Sequence, residues 1–251
     1  MERRKWTREQ LIVAFNLYCK IPFGKIHNRN PDIISLARVL GRTPSALSWK
    51  LANFARFDPA LKKRDIKGAT HGAHLEREVW DEFSRDWEML SFESERLRAQ
   101  MFGTAEEMET EPVFPDGRTR ESLVKVRVNQ AFFRSAVLAA YESRCCITGL
   151  AVPELLCASH IVPWSVDHHN RTNPQNGLCL NALHDRAFDR GLITVAADLT
   201  VKLSPAIERT KGTAVESLLK RYSGAKIDLP RRFQPNPTFL QFHAANIYID
   251  R

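Results

Sequence analysis

Three short motifs decide the fold of this chain: ASHIVPW at residues 158–164, NPQNGL at 173–178 and LHDRAFDRG at 183–191. They place His160, Asn176 and His184 within 25 residues of one another. The first motif continues an apolar run and ends at a proline, which is typical of a strand. Asn181 can cap a helix that Gly191 ends. The motifs therefore predict strand, loop, strand and helix, with His160 on the first strand and His184 in the first turn of the helix.

Two histidines held close together suit the hydrolysis of a phosphodiester bond. Such a reaction needs a base to activate water, positive charge for the phosphate and help for the leaving oxygen. A neutral histidine can accept the proton of water near neutral pH. A histidine on its own is more often structural, so the prediction of catalysis rests on the joint pattern.

The motifs resemble the HNH endonucleases, also described as ββα-metal or His-Me finger nucleases. The likeness covers roughly residues 125–250 and includes YESRCCITG at 141–149 and FDRG at 188–191, which are similar to a branch of predicted restriction endonucleases. The resemblance implies two strands and a helix around one divalent metal. It implies His160 as the general base, Asn176 as the residue that fixes the loop and orients the base, and His184 as a metal ligand.

The second metal ligand is an open question in the sequence. Ser159 stands where many HNH enzymes have an acidic ligand. Asp189, about one helical turn beyond His184, is the candidate, with Asp185 behind it, although Asp189 could equally be a hydrogen-bond acceptor at the helix end. Magnesium keeps several waters and needs few protein ligands, so we expect Mg²⁺, with Mn²⁺ able to substitute. Five cysteines without a CxxC pair do not predict a structural zinc.

The distribution of charge favours a nucleic-acid partner. The net charge is +8, with 15 Lys and Arg against 5 Asp and Glu in residues 1–70, 4 against 13 in 71–116, and 18 against 11 in 117–251. Basic regions attract a phosphate backbone regardless of its sequence. Two separate basic blocks therefore predict double-stranded DNA as the partner, whereas a solvated basic face is the alternative.

The first basic block contains a helix-turn-helix pattern. One helix ends at Gly41, and Thr43 can cap the next helix with Pro44 at its first position. In that arrangement the second helix contacts DNA, through the candidates Arg42, Ser45, Trp49 and Lys50. A three-helix bundle without a ligand has the same pattern. The aromatic residues Trp6, Trp49, Phe54 and Phe57 are predicted to pack in a core rather than to form a pocket for a modified base.

The predicted architecture is α+β with two domains. Residues 1–115 would form a helical DNA-binding domain, ending in an acidic helix over 75–110 and a linker, and residues 116–251 an HNH nuclease domain. Residues 123–128 alternate apolar and basic side chains, which predicts a short strand or an extended segment. Arg171 and Arg186 are candidates for phosphate contacts, although either can simply serve solubility.

The sequence as a whole predicts a metal-dependent HNH endonuclease that acts in restriction of, or defence against, foreign DNA, with modified DNA among its targets. It has neither an apolar run long enough for a membrane span nor a signal-peptide segment, so we expect a cytoplasmic protein of bacterial type. One HNH site cuts one strand, so a double-strand break would need a homodimer or two successive nicks. The alternatives are a DNA-binding regulator with a decayed site and a homing nuclease of a mobile element, which would read a long site.

Overall fold

The computed structural model describes residues 5–63, 74–102 and 120–250. The architecture is α+β. Internal contacts divide the chain into two compact units, Met1–Ser135 and Ala136–Arg251. The predicted domain boundary near residue 115 falls outside the described residues and stays a prediction. Within the described residues, no helix is long and apolar enough to cross a membrane.

The first unit is helical throughout its described part. The turn between the second and third helices has the predicted form: Gly41 has a φ of 59°, and the N–H of Arg42 donates to the carbonyl of Ala37 at 2.9 Å. Thr43 Oγ1 accepts from the N–H of Ala46 at 3.2 Å, as predicted for a helix cap. The helices are α1 (Arg8–Lys20), α2 (Pro31–Val39), α3 (Pro44–Ala55), α4 (Pro59–Lys62), α5 (His74–Phe83), α6 (Trp87–Phe102) and α7 (Arg120–Ala140), the last crossing the division between units.

Aromatic side chains form the core of the first unit. The Phe15 ring lies 4.9 Å from Phe54, 5.0 Å from Trp80 and 5.9 Å from Trp87, measured between centroids. Core packing is confirmed for Phe54 and for Phe57, which is also buried. The same prediction is wrong for Trp49, whose surface is 66% exposed, because it lies on the face of α3 that is turned away from this core.

A buried carboxylate ties α5 to α3. Glu76 is fully buried, and its carboxylate accepts hydrogen bonds from Lys50, from Asn53 at 3.3 Å and from Arg56 at 3.4 Å. A buried charge is tolerated only when it is paired in this way. Lys50 of α3 and Arg56, which directly follows α3, are therefore partners of an internal carboxylate.

Two expectations for secondary structure are wrong. Residues 123–128 lie within α7 rather than in a strand. The buried residues that reveal the helical spacing come after this segment, at Asn129, Phe132 and Phe133. Within the acidic stretch 75–110, the described residues end at Phe102 and form two helices, α5 and α6, separated by a turn in which the N–H of Asp86 donates to the carbonyl of Phe83. Residues 103–110 lie outside the described part. Alternation over six residues was too short a signal to override helical packing further along the segment.

The second unit has the predicted strand–loop–strand–helix order. Antiparallel pairing aligns Leu156 with Asn181 and His160 with Gly177. A second antiparallel hairpin and a C-terminal helix, which the sequence did not predict, complete the unit. Its elements are β1 (Leu156–His160), β2 (Gly177–Asn181), α8 (Ala182–Asp189), β3 (Ile193–Val195), β4 (Val201–Leu203), α9 (Pro205–Arg209), α10 (Thr213–Leu218) and α11 (Pro237–Asn246).

The C-terminal segment holds the end of α8 in place. His243 on α11 stacks on the Phe188 ring with centroids 3.6 Å apart. Its ring nitrogens contact Thr194 Oγ1 at 2.9 Å and the Phe188 carbonyl at 3.2 Å. Gly191 ends α8 with a φ of 66°, and a Cβ there would lie 2.0 Å from the carbonyl oxygen of Ile247. The helix that carries His184 is thus fixed by residues about 55 positions downstream.

Acid is expected to destabilise the second unit through His243. Burial lowers the pKa of His243 to about 4, although the hydrogen bond to the Phe188 carbonyl acts in the opposite direction. Between about pH 6.5 and pH 4 the unfolded chain binds a proton that the folded chain does not, so the free energy of unfolding falls as pH falls. The loss approaches roughly 3 kcal/mol.

Urea unfolding at a series of pH values measures this effect. The variant His243→Asn removes the titrating group, so its stability should fall less steeply than that of the wild type over this window. Equal pH slopes for the two proteins would show that His243 is not the group responsible.

Candidate active site

His160 ends β1 and is held by the loop that follows. Its Nε2 lies 2.8 Å from the carbonyl oxygen of Arg171. A carbonyl only accepts, so Nε2 carries the proton and the lone pair of the neutral ring is on Nδ1. Burial lowers the pKa of His160, against the opposing effects of the Arg171 hydrogen bond and the charge of Asp185. The ring is therefore neutral near pH 7 with Nδ1 as its basic atom.

The loop between the strands is ordered by its own side chains. Asp167 accepts from the N–H groups of His169 and Asn170 at 3.0 and 3.1 Å and from the Asn170 side chain at 2.7 Å. Asn170 in turn accepts from the side chain of Asn173 at 2.8 Å. The carbonyl that holds His160 thus belongs to a loop whose conformation does not depend on that one contact.

Asn176 joins both ends of this loop. Its Oδ1 accepts from the N–H of Val162 at 2.8 Å, and its Nδ2 donates to the carbonyls of Val162 and Asn170 at 3.0 and 3.2 Å. The side chain is fully buried. This geometry supports the predicted role of fixing the loop, through the backbone beside His160 rather than through its ring.

Asn176→Ala is expected to lower the free energy of unfolding by about 3 kcal/mol. Truncation leaves buried backbone groups of Val162 and Asn170 without partners, and each such group costs about 1–3 kcal/mol. Urea denaturation measures the loss. Asn246→Ala, which removes an exposed asparagine from α11, is the control. A change below 1 kcal/mol for Asn176→Ala would show that the loop does not rely on this side chain.

His184 faces the interior at the start of α8. The Oδ1 atom of Asn181 caps the helix by accepting from the His184 N–H at 3.0 Å, and it also lies 3.1 Å from the His184 Nδ1. The ring contacts Tyr222 edge-on at 5.4 Å between centroids. Nε2 is buried and makes no hydrogen bond to another described residue. Burial lowers the pKa of His184, so its ring is neutral as well.

Asp185 and Asp189 lie on a different face of α8 from His184. Residues four apart share a helix face, as His184 and the buried Phe188 do. By the same rule, Asp185 and Asp189 share the more exposed face. Burial and the charge of Asp185 raise the pKa of Asp189. Asp185 also raises the pKa of His160 by its charge. Asp185 is thus the carboxylate whose charge acts on both His160 and Asp189. The predicted ligand pair of His184 and Asp189 stays a prediction.

The described residues contain no group of three or more His, Cys, Asp or Glu side chains that could hold a metal by itself. Ser159, in the position of the missing acid, is buried, and its hydroxyl has no hydrogen-bond partner within that part of the chain. Of the carboxylates of α8, Asp185 is the one whose charge acts on His160. Carboxylate oxygens are ligands that Mg²⁺ and Mn²⁺ prefer.

The predicted DNA contacts fall into two groups. Arg171 folds onto Trp164, with Nε donating to its carbonyl at 2.9 Å and the guanidinium 5.1 Å from its ring. Arg42 donates to Gln10 at 2.9 Å and lies 4.6 Å from the Trp6 ring, and Lys50 pairs with Glu76. These three side chains have contacts within their own unit. The candidates with exposed side chains are Ser45, Trp49 and Arg186.

Two residues of this region were not given a site role by the sequence prediction. Asn181 was expected only as a helix cap, yet the same oxygen that caps the helix also orients the His184 ring. Trp164 contacts the His160 ring edge-on at 5.5 Å between centroids. The HIVPW motif contained Trp164, but nothing in its spacing indicated that Arg171 would cover it.

The comparison with protein families agrees with this geometry. Residues 145–196, which span β1, the loop, β2, α8 and β3, match the family described as HNH endonuclease. This segment is therefore similar to the HNH endonucleases, and the match indicates a nuclease that acts on DNA. No curated protein matches the chain.

Proposed function

We propose that this protein is a metal-dependent endonuclease that hydrolyses DNA phosphodiester bonds, with His160 as the general base. The observation that carries the proposal is the hydrogen bond from His160 Nε2 to the Arg171 carbonyl. It fixes the tautomer so that the basic Nδ1 can accept a proton from water. The lowered pKa keeps this nitrogen unprotonated at neutral pH.

The same proposal assigns the metal to the carboxylates of α8. Burial and, after it, the charge of Asp185 raise the pKa of Asp189, and a bound cation would stabilise the ionised Asp189 carboxylate. When bound, a divalent ion supplies positive charge for the scissile phosphate and the leaving oxygen. His184, locked by Asn181, would then order the start of the helix that presents them.

The remaining steps use the chain's own groups. As Nδ1 takes the proton of the attacking water, the His160 ring becomes positively charged. The Arg171 carbonyl and the negative charge of Asp185 both stabilise that imidazolium. Arg186, exposed on α8 between the two aspartates, is the guanidinium we propose for a phosphate contact.

Metal binding is expected to depend on the carboxylates more than on His184. Asp189→Asn and Asp185→Asn should each weaken Mn²⁺ binding at least tenfold, measured by calorimetric titration, because each removes a charged oxygen donor. Asp198→Asn, an exposed aspartate in the β3–β4 turn, is the matched control. If His184→Ala weakens Mn²⁺ binding and both aspartate variants bind Mn²⁺ like the wild type, His184 is the metal ligand, as the sequence predicts.

The biological role we propose is restriction of, or defence against, foreign DNA, with modified DNA among the targets. The basic block 1–70 and its helix-turn-helix pattern support this role. A plasmid-nicking assay with Mg²⁺ or Mn²⁺, against an EDTA control, tests the activity. If the wild type produces nicked plasmid and no linear plasmid, one site acts on one strand. Linear product without a nicked intermediate indicates a homodimer acting on both strands.

The second candidate is a DNA-binding regulator with a decayed nuclease site. The buried Ser159, in place of an acidic metal ligand, is the observation that favours it. Such a protein would bind DNA and release no nicked plasmid over a full series of metals and pH values. Ser159→Asp distinguishes the two further, since restored nicking in that variant alone would mark a decayed site.

A further inference from the structure

The first unit carries an open groove beside α3 that the nuclease reaction does not use. Its volume is about 290 Å³, and its lining residues are Ile26, Asn28, Ser45, Ser48, Trp49 and Ala52. Trp49 is 66% exposed, the largest exposed fraction among the described large apolar side chains. A tryptophan held this far into solvent contributes little to the core and is available for contact.

The groove is concave because a loop runs alongside the helix. Asn28 belongs to the segment before α2, and its Nδ2 donates to Ser45 Oγ at 3.2 Å, which fixes the loop against the first turn of α3. A helix that reads base edges must enter the major groove of DNA. Here Ile26 and Asn28 form a second wall beside the helix, so the surface is shaped to receive a projecting group.

The charge around the groove matches a nucleic acid. Segments 21–31 and 41–57, which supply all its lining residues, contain five Lys and Arg and no Asp or Glu. Of these, Lys25 and Arg29 are exposed beside the lining residues Ile26 and Asn28. Exposed cations attract phosphate, whereas Lys50 and Arg56 are partners of Glu76. The pairing of Lys25 and Arg29 with one exposed aromatic ring matches the phosphates and the base of a nucleotide.

We propose that this groove binds an unstacked nucleobase of DNA, with the Trp49 ring as the stacking surface. Aromatic rings stack on any base, and Asn28 and Ser45 provide amide and hydroxyl groups for a base edge. The inference rests on the proposed function only in that DNA is the substrate. It makes the first unit a sensor of unpaired or extruded bases rather than a reader of duplex sequence.

Fluorescence anisotropy in EDTA tests the proposal with the full chain at one fixed salt concentration. Three labelled probes share a sequence: a single strand, a duplex with a one-nucleotide bulge, and the fully paired duplex. The single strand and the bulged duplex should both bind more tightly than the paired duplex. Comparing the affinities for the single strand and the bulged duplex shows whether the groove prefers a base of single-stranded DNA or a base extruded from a duplex.

Trp49→Ala should weaken binding of the single strand or the bulge about tenfold or more, the loss of one base–aromatic stack, while Trp49→Phe retains most of the affinity. An unchanged affinity in Trp49→Ala, or an equal loss on all three probes, would overturn the proposal. So would a Trp49-dependent change in sedimentation mass without a change in DNA affinity, which would indicate a protein interface. Because cleavage is absent in EDTA, failure here leaves the nuclease assay unaffected, and the reverse also holds.

Discussion

His160→Ala is expected to lower the rate of metal-dependent DNA cleavage by about 10²- to 10⁴-fold, the usual contribution of a general base. The substitution removes the imidazole whose Nδ1 lone pair is left basic by the hydrogen bond from Nε2 to the Arg171 carbonyl. DNA affinity should stay near that of the wild type, because the ring contributes no charge at neutral pH. Single-turnover cleavage of a labelled duplex in Mg²⁺ measures the rate, and anisotropy in EDTA measures the affinity.

The control for this substitution is His169→Ala. His169 lies in the same loop and is exposed, so its loss should leave the cleavage rate within about twofold. The loop itself should survive the loss of His160, since Asp167, Asn170 and Asn173 hold it by their own hydrogen bonds. Equal rates for His160→Ala and His169→Ala would exclude His160 as the base.

Glu76→Ala is expected to lower the free energy of unfolding of the first unit by about 3–5 kcal/mol. Removing one partner of a buried ion pair leaves the other charges without compensation, here Lys50 and Arg56, whose side chains are only 17% and 20% exposed. Thermal and urea unfolding followed by circular dichroism measure the loss. The effect should be large because Glu76 links α5 to α3 through both cations and Asn53.

Glu78→Ala provides the comparison for Glu76→Ala on the same helix. Glu78 is 54% exposed and pairs with His74 at the surface, so its loss should change stability by less than about 1 kcal/mol. A Glu76 variant as stable as the Glu78 variant would mean that Lys50 is not engaged internally. In that case the sequence prediction of Lys50 as a DNA contact would regain its support.

The nuclease core could be predicted from the sequence because its signals are local. A polar loop between two short apolar runs, an asparagine cap and a terminating glycine determine β1, β2 and α8 within about 35 residues, and the three motif residues fall inside them. The turn at Gly41 and the cap at Thr43 were predictable for the same reason. In each case, neighbours in sequence satisfy the backbone groups.

The rest depends on contacts between distant residues. Nothing near Lys50 indicates that Glu76, 26 positions away, takes up its charge. The anchoring of α8 by His243 spans 55 positions. The β3–β4 hairpin turns through Leu199, a non-glycine residue with a φ of 72°, so the usual glycine signal for such a turn is missing. Helical geometry alone places His184 and Asp189 on two different faces of α8. Only the burial of Phe188 in the structure shows that the His184 face is the inner one.

Chemical rescue tests the central claim, that His160 is the general base of a DNA-cleaving HNH site, most directly. Single-turnover cleavage in Mg²⁺ is measured for the wild type and for His160→Ala with and without added imidazole. We expect efficient cleavage by the wild type, a rate at least 100-fold lower for the variant, and partial recovery that grows with the concentration of neutral imidazole. A variant that cleaves as fast as the wild type, or a wild type that leaves DNA intact with every divalent metal, would contradict the account.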